Sequence, residues 1–203
     1  MTRISKLTTI ALTAGMLFSL NASAGAWGGY PAFQNCKNVD MIDVRGNEDI
    51  DGILGEADGK VTIAEVAVAN PLDNLGTLVF AVTNADPAVL EALANPEAML
   101  TVFAPDDDAF AAIPSDVLNG IISSEESSGT LTSVLLYHVV AGYFDPRNVW
   151  YFRSADSLLG QELFIKRGSD PSPSVNQSSI NCGGVMTDNG LVWLIDSVLL
   201  PQF

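Results

Sequence analysis

The chain has 203 residues, 48% of them hydrophobic and 16% charged, with 24 acidic side chains against 9 basic ones and a net charge of −15. That is enough apolar material for a packed core and too little charge for a disordered polymer, at a length that fits one domain with flanking segments. The acidic excess repels nucleic acid and anionic membrane surfaces, so neither is expected as a partner, and its plainest use is to keep the molecule dispersed.

The first segment opens with Arg3 and Lys6, runs apolar from Leu7 to Leu20 and closes on Ala22-Ser23-Ala24. This is the layout of a secretory signal peptide, residues 1–24, with Ala24-Gly25-Ala26 as a second cleavage point. As a membrane span the apolar stretch falls short of the ~20 residues required, so membrane insertion is not expected. The expected location is secreted or periplasmic, with association to the cell surface. Loss of Arg3 and Lys6 would take the net charge from −15 to −17. Residues 25–59 read as an N-terminal arm, aromatic and glycine-rich from Trp27 to Phe33, then polar and acidic from Asn35 to Gly59. Cys36 in this arm and Cys182 are the two cysteines, an even count in an exported chain, which suggests a disulfide. Closing so long a loop would stabilise the fold by up to about 5 kcal/mol in the chain-entropy treatment. Two free thiols are the alternative.

From residue 60 to 203 the pattern becomes that of a folded domain. Thr62-Ile63-Ala64-Glu65 has the form of a capping box, and Ile63, Val66 and Ala67 repeat on one helical face. Leu75, Leu78, Val79 and Val82 mark an amphipathic helix. Asp86-Pro87 starts another, with proline at its first position and Val89, Leu90 and Leu93 facing inward. Met99 to Ala104 is a β-type run stopped by Pro105. Asp106 then caps a short helix through Ala112, and Ser115 caps one carrying Val117, Leu118, Ile121 and Ile122. Ser123 to Gly129 is polar loop, Thr130 to Tyr137 helix. Beyond His138 the period shortens. Leu163-Phe164-Ile165, Ile180 to Thr187 and Leu191 to Ile195 read as strands, Ser169 to Ser174 as a loop, and Asp188-Asn189-Gly190 as a hairpin turn. Helices first and mostly antiparallel strands later argue an α+β fold.

Three strings carry a family resemblance. Thr101-Val102-Phe103-Ala104-Pro105-Asp106-Asp107-Asp108-Ala109-Phe110 resembles the first signature of the fasciclin domain family. Leu135-Leu136-Tyr137-His138-Val139-Val140-Ala141-Gly142 resembles the second, built around a Tyr-His pair. Asn189-Gly190-Leu191-Val192-Trp193-Leu194-Ile195-Asp196, running on to Pro201, resembles the closing strands. They stand in family order and at about family spacing, and the resemblance covers roughly Val61 to Pro201. Trp193 departs from the histidine often found there, which leaves His138 as the one histidine of the chain. The resemblance implies a fasciclin-like fold, a mostly antiparallel β-wedge with a cluster of short helices, and an extracellular role in adhesion or protein binding. Its structural motif residues are Thr101, Phe103, Pro105, Asp106, Phe110, Asn189, Gly190 and Asp196. In animal members the Tyr-His region is linked to partner binding, which makes Tyr137 and His138 the candidate binding residues. The partner expected is an extracellular or cell-surface protein, with self-association included.

Read from the residues themselves, these strings are structural. Phe103 and Phe110 suit a core, Asp106 suits a helix N-cap, and His138 between Tyr137 and Val139 reads as a satisfied core histidine that resists protonation until acid pH. One histidine and no Gly-x-Ser-x-Gly give a hydrolase triad little support. No zinc spacing and no phosphate-cradling glycine loop are present. No enzyme activity, metal or cofactor is therefore expected. Glu56, Asp58, Gly59, Val61, Thr62 and Glu65 fit part of a calcium loop, but Leu54 stands at its first position and the capping box explains the same residues. Asn176-Gln177-Ser178 matches a glycosylation acceptor. An alternative to adhesion is an extracellular carrier of an apolar ligand such as a carotenoid, suggested by Trp27, Tyr30, Phe33, Tyr143, Phe144, Trp150, Tyr151 and Phe152.

Overall fold

The computed structural model describes residues 41–54, 58–70, 74–122, 128–148, 153–167 and 173–202. The expected signal peptide, the aromatic stretch of the arm and Cys36 lie outside the described residues. The expected helices form, two of them starting earlier than the sequence places them: one by a single residue at Ser115, and one at Ser128, two residues before the expected Thr130. Thr62 and Glu65 make the capping box of α1 (Ile63–Ala69): the Glu65 N–H donates to Thr62 Oγ1 at 3.3 Å, and the Thr62 N–H donates to Glu65 Oε2 at 2.8 Å. Asp86 caps α3 (Pro87–Ala94) through the Ala88 N–H. Between them, α2 (Gly76–Asn84) has no cap of its own. Its first N–H groups are held from 30 residues away, where the Asp107 carboxylate accepts from Gly76 at 3.3 Å and Thr77 at 2.7 Å. Burial pushes the Asp107 carboxyl upward, yet those donors hold it below its ordinary range.

After β2 (Leu100–Pro105), Asp106 accepts the Ala109 N–H at 2.8 Å and starts α4 (Asp107–Ala111). α5 (Ser115–Ile122) begins one residue earlier than expected, with the Pro114 carbonyl taking the Val117 and Leu118 N–H groups and Ser115 already helical. Val117 consequently faces solvent, while Leu118 and Ile121 pack on the core. α6 (Ser128–Tyr137) leads directly into β3 (Val139–Ala141). A 3-10 turn at Pro146–Asn148 precedes β4 (Arg153–Asp156), β5 (Glu162–Arg167), β6 (Pro173–Val175), β7 (Ser178–Thr187) and β8 (Gly190–Ile195). Pro173, expected in a loop, is the first residue of β6, a strand position that tolerates a missing N–H.

The sheet order is β3-β2-β8-β7-β6-β5-β4, and its two ends meet where Val140 bridges Ser157 and the Leu158 N–H donates to Val139. Most pairings are antiparallel. The exceptions are β2 with β8, and β7 with β1 (Ile42–Asp43), a segment within the arm. Every residue of β2 and β8 is buried, because this parallel pair is covered on both faces. Val102, Ala104, Val192 and Leu194 face a core filled by the helices. Phe103, Leu191, Trp193 and Ile195 face a second core inside the sheet, with Leu163, Ile165, Val175 and Ile180. The fold is α+β, a sheet-rich wedge with short helices against one wall. Among the described residues no single helix is long and apolar enough to cross a membrane.

Two glycines are fixed by close approach. A Cβ on Gly190 would stand 2.1 Å from the Leu100 carbonyl oxygen, where β8 enters beside β2. A Cβ on Gly184 would stand 2.8 Å from the Trp193 ring, which lies flat across β7 at a register shift.

Candidate functional site

The motif residues hold the scaffold. Phe103 is wholly buried in the sheet core, Phe110 is buried in the helical core, and Pro105 ends β2 in register with Ile195. Thr101 Oγ1 donates to the Gly142 carbonyl at 2.7 Å and accepts the Phe144 N–H at 2.9 Å, which fixes the exit from β3. Asp196 Oδ1 accepts from the Ser179 N–H and the Ser178 and Ser197 hydroxyls, tying the end of β8 to the start of β7. Asn189 in the β7–β8 turn is 0% exposed. Its Oδ1 accepts from the Ile63 N–H at 2.8 Å and the Thr187 hydroxyl, and its Nδ2 donates to the carbonyls of Leu93 and Asn95. One side chain thus joins the start of α1, the end of α3 and the hairpin. Trp193, where the family often has histidine, is also wholly buried; its indole N–H donates to Phe144 and Arg147 stacks 5.0 Å from the ring centre.

Of the two candidate binding residues, His138 is 4% exposed. Its Nδ1 lies 2.7 Å from the Val134 carbonyl and its Nε2 accepts the Leu199 N–H at 2.9 Å. A carbonyl only accepts and an amide N–H only donates, so the imidazole is neutral with its proton on Nδ1. Burial pushes its pKa down to about 4, while the Val134 carbonyl pulls upward. Both ring nitrogens are committed to the fold.

Tyr137 differs. Its ring is buried in the sheet core, but its hydroxyl reaches the floor of an open groove of about 930 Å³ between β5, the β6–β7 turn and the C-terminal residues. The hydroxyl donates to the Glu162 carbonyl at 3.2 Å and accepts from Asn176 Nδ2 at 3.1 Å. Asn176 turns the chain in the left-handed region (φ 51°), and its Oδ1 accepts the Phe164 N–H. The amide of the Asn176-Gln177-Ser178 tripeptide is therefore engaged on both atoms. Phe164 is 42% exposed and Leu200 52% exposed on this groove, among Gln161, Gln177, Lys166 and Gln202. Sequence reasoning missed this surface. Its signal was parity: on β5, Leu163 and Ile165 point inward, so Phe164 occupies a position where a polar residue is the rule.

Other candidate chemistry is absorbed by the fold. The Glu65 oxygens accept from the N–H groups of Gly52 and Thr62, and Asp58 Oδ1 accepts from Lys60. Glu56 lies outside the described residues, and among those described no cluster of His, Cys, Asp and Glu suits a metal ion. Cys182 is buried on β7 and is not a free thiol. The enclosed cavity between the helices and the β2–β8 wall is about 30 Å³ and apolar, room for a water or two rather than a pigment. Of the aromatics that suggested a carrier, Tyr143 and Phe144 are described, whereas Trp27, Tyr30, Phe33, Trp150, Tyr151 and Phe152 lie outside the described residues.

A two-core wedge with these signature strings in capping and packing roles defines a fasciclin-type module. The fasciclin domain model matches residues 73–201, and this chain belongs to that family. It is 38% identical over 144 residues to protein sll1483 of Synechocystis sp., covering 71% of this chain and 76% of that one. It is 41% identical over 101 residues to the immunogenic protein MPB70 of Mycobacterium bovis, covering 50% of this chain and 49% of that one. It is 33% identical over 142 residues to the cell surface glycolipoprotein MPB83 of the same species, covering 68% and 60%. The chain thus spans between about half and three quarters of these relatives. A solved FAS1 domain pair from the insect cell adhesion molecule Fasciclin I aligns with TM-score 0.49 and 20% identity, over 63% of this chain and 46% of that one.

Proposed function

We propose that this protein is an exported, non-enzymatic adhesion module of fasciclin type, which binds protein partners, a second copy of itself included, through the groove beside Tyr137. The observation that carries the reading is the pair of exposed apolar side chains, Phe164 and Leu200, on a groove whose floor is fixed by hydrogen bonds. Aromatic and aliphatic anchors set in a polar rim are the usual energetic centre of a protein interface. A non-enzymatic role is supported by the one histidine of the chain, whose two nitrogens are both spent on backbone groups. An extracellular site is supported by the relative named as a cell surface glycolipoprotein and by the leader-like first 24 residues. Cys36 and Cys182 form the disulfide that secures the arm in this reading, as suits an oxidising compartment.

The test is a strain lacking the protein. It should lose aggregation or surface attachment and regain it when the full chain is restored. Wild-type aggregation in the deletion strain would refute the reading.

A further inference from the structure

Residues 196–202, after β8, have no regular secondary structure, yet they are held at three points. The Ser197 N–H donates to the Ser178 hydroxyl at 3.0 Å, the Leu199 N–H donates to His138 Nε2 at 2.9 Å, and the Gln161 amide pairs with both backbone groups of Gln202 at 2.7 and 2.9 Å. Leu199 and Pro201 are buried between these points, while Leu200 and Gln202 form a wall of the Tyr137 groove. We propose that Ser197–Gln202 is a strap latched by His138, and that protonating His138 releases the strap and reshapes the groove. Protonation puts a hydrogen on Nε2. An imidazolium N–H then faces the Leu199 N–H, and the buried latch becomes two donors without an acceptor.

Among the described residues no carboxylate reaches the imidazolium as a counter-charge. The two cavities that touch His138 are lined by apolar side chains from α1 to α6, β2, β3, β8 and the strap. The carboxylates on or beside those elements are engaged or exposed. Glu65 holds Gly52 and Thr62, Asp106 holds Ala109, Asp107 holds α2 and Asp196 holds Ser178 and Ser179. Glu91, Asp108 and Asp116 are exposed, and the Tyr137 hydroxyl bonds Glu162 and Asn176. Burial holds the latched imidazole down at about 4, against 6.5 for a solvated one. The sign follows. The latch is intact above pH 6.5, and as the pH falls from there to about 4 the open strap gains at most tenfold per pH unit, an upper bound of roughly 300-fold that is reached if the released imidazole is fully solvated. The inference rests on the proposed use of the groove only for its consequence, because strap release is measured without any partner.

The experiment is hydrogen exchange of the full chain between pH 7 and pH 4, corrected for the intrinsic rate, alongside NMR titration of the one histidine. The expected result is that the peptide carrying Leu199 loses protection by about two orders of magnitude while the β8 peptide keeps its own. The midpoint of opening should follow the imidazole titration. In His138→Gln, whose amide oxygen accepts the Leu199 N–H at every pH, that loss should vanish. Strap and β8 losing protection together would overturn the inference, as would a wild-type His138 that titrates while the strap stays protected. Release of the strap with adhesion unchanged would count against the groove as the binding surface and leave the latch standing.

Discussion

Asn189→Ala removes the side chain that ties three elements together. The residue is 0% exposed and makes hydrogen bonds to the Ile63 N–H, the Thr187 hydroxyl and the carbonyls of Leu93 and Asn95. Truncation leaves the Ile63 donor at the start of α1 and the Leu93 carbonyl at the end of α3 without this partner, while the Asn95 carbonyl, on an exposed residue, keeps the Ala98 N–H. Each buried polar group left unsatisfied costs about 1–3 kcal/mol, and relaxation recovers part of the sum, so a loss of about 4 kcal/mol is expected. Small domains are stable by about 5–15 kcal/mol, which makes this a large fraction. At about 2–4 °C per kcal/mol for a chain of this size, the melting temperature should fall by about 8–16 °C. Urea unfolding followed by tryptophan fluorescence gives the free energy. Asn189→Asp, nearly the same shape, should also be destabilised, because a carboxylate cannot donate to Leu93 and Asn95. Asp188→Ala in the same turn loses one bond, to the Val61 N–H, and should cost about 1 kcal/mol. If Asn189→Ala cost less than Asp188→Ala, the role assigned to Asn189 would be wrong.

Gly184→Ala should cost about 1–3 kcal/mol in the same assay through the Trp193 ring, whereas Gly183→Ala, whose Cβ has only an ordinary contact 3.8 Å away, should change little; equal effects would refute the packing argument. Because the folded pKa of His138 lies below its unfolded value, its share of stability is complete above pH 6.5 and declines as pH falls to about 4, by about 3 kcal/mol in total. His138→Gln should flatten that part of the stability–pH curve, and an unchanged slope would contradict the buried neutral imidazole.

The local signals in the sequence were strong where one stretch of chain decides the outcome. The Thr62–Glu65 box, the Asp86-Pro87 start, the Pro105 stop and the Asp106 cap all act within four residues and could be read directly. Less legible were devices whose two halves lie far apart. Asp107 reads as part of its own helix start, yet it caps α2 from 30 residues away. Asn189 reads as a turn residue, yet its amide is consumed at the start of α1 and the end of α3, 94 to 126 positions earlier. His138 was legible as a core histidine from its apolar neighbours, but Leu199, 61 residues on, carries no mark of being its partner. β3 and β6 are three residues each, too short for a period of two to declare itself. The groove hid for a related reason, since an outward Phe164 between inward Leu163 and Ile165 looks like a continuous apolar run until the strand's parity is known.

The claim at the centre is that the signature strings build the scaffold while the groove beside Tyr137 does the binding. Its most direct measurement is complementation of the deletion strain with Phe164→Glu/Leu200→Glu, two outward substitutions that leave both cores untouched. This variant should be exported in normal amount and melt within a few degrees of wild type, yet fail to restore aggregation. Full restoration by such a folded variant would contradict the account.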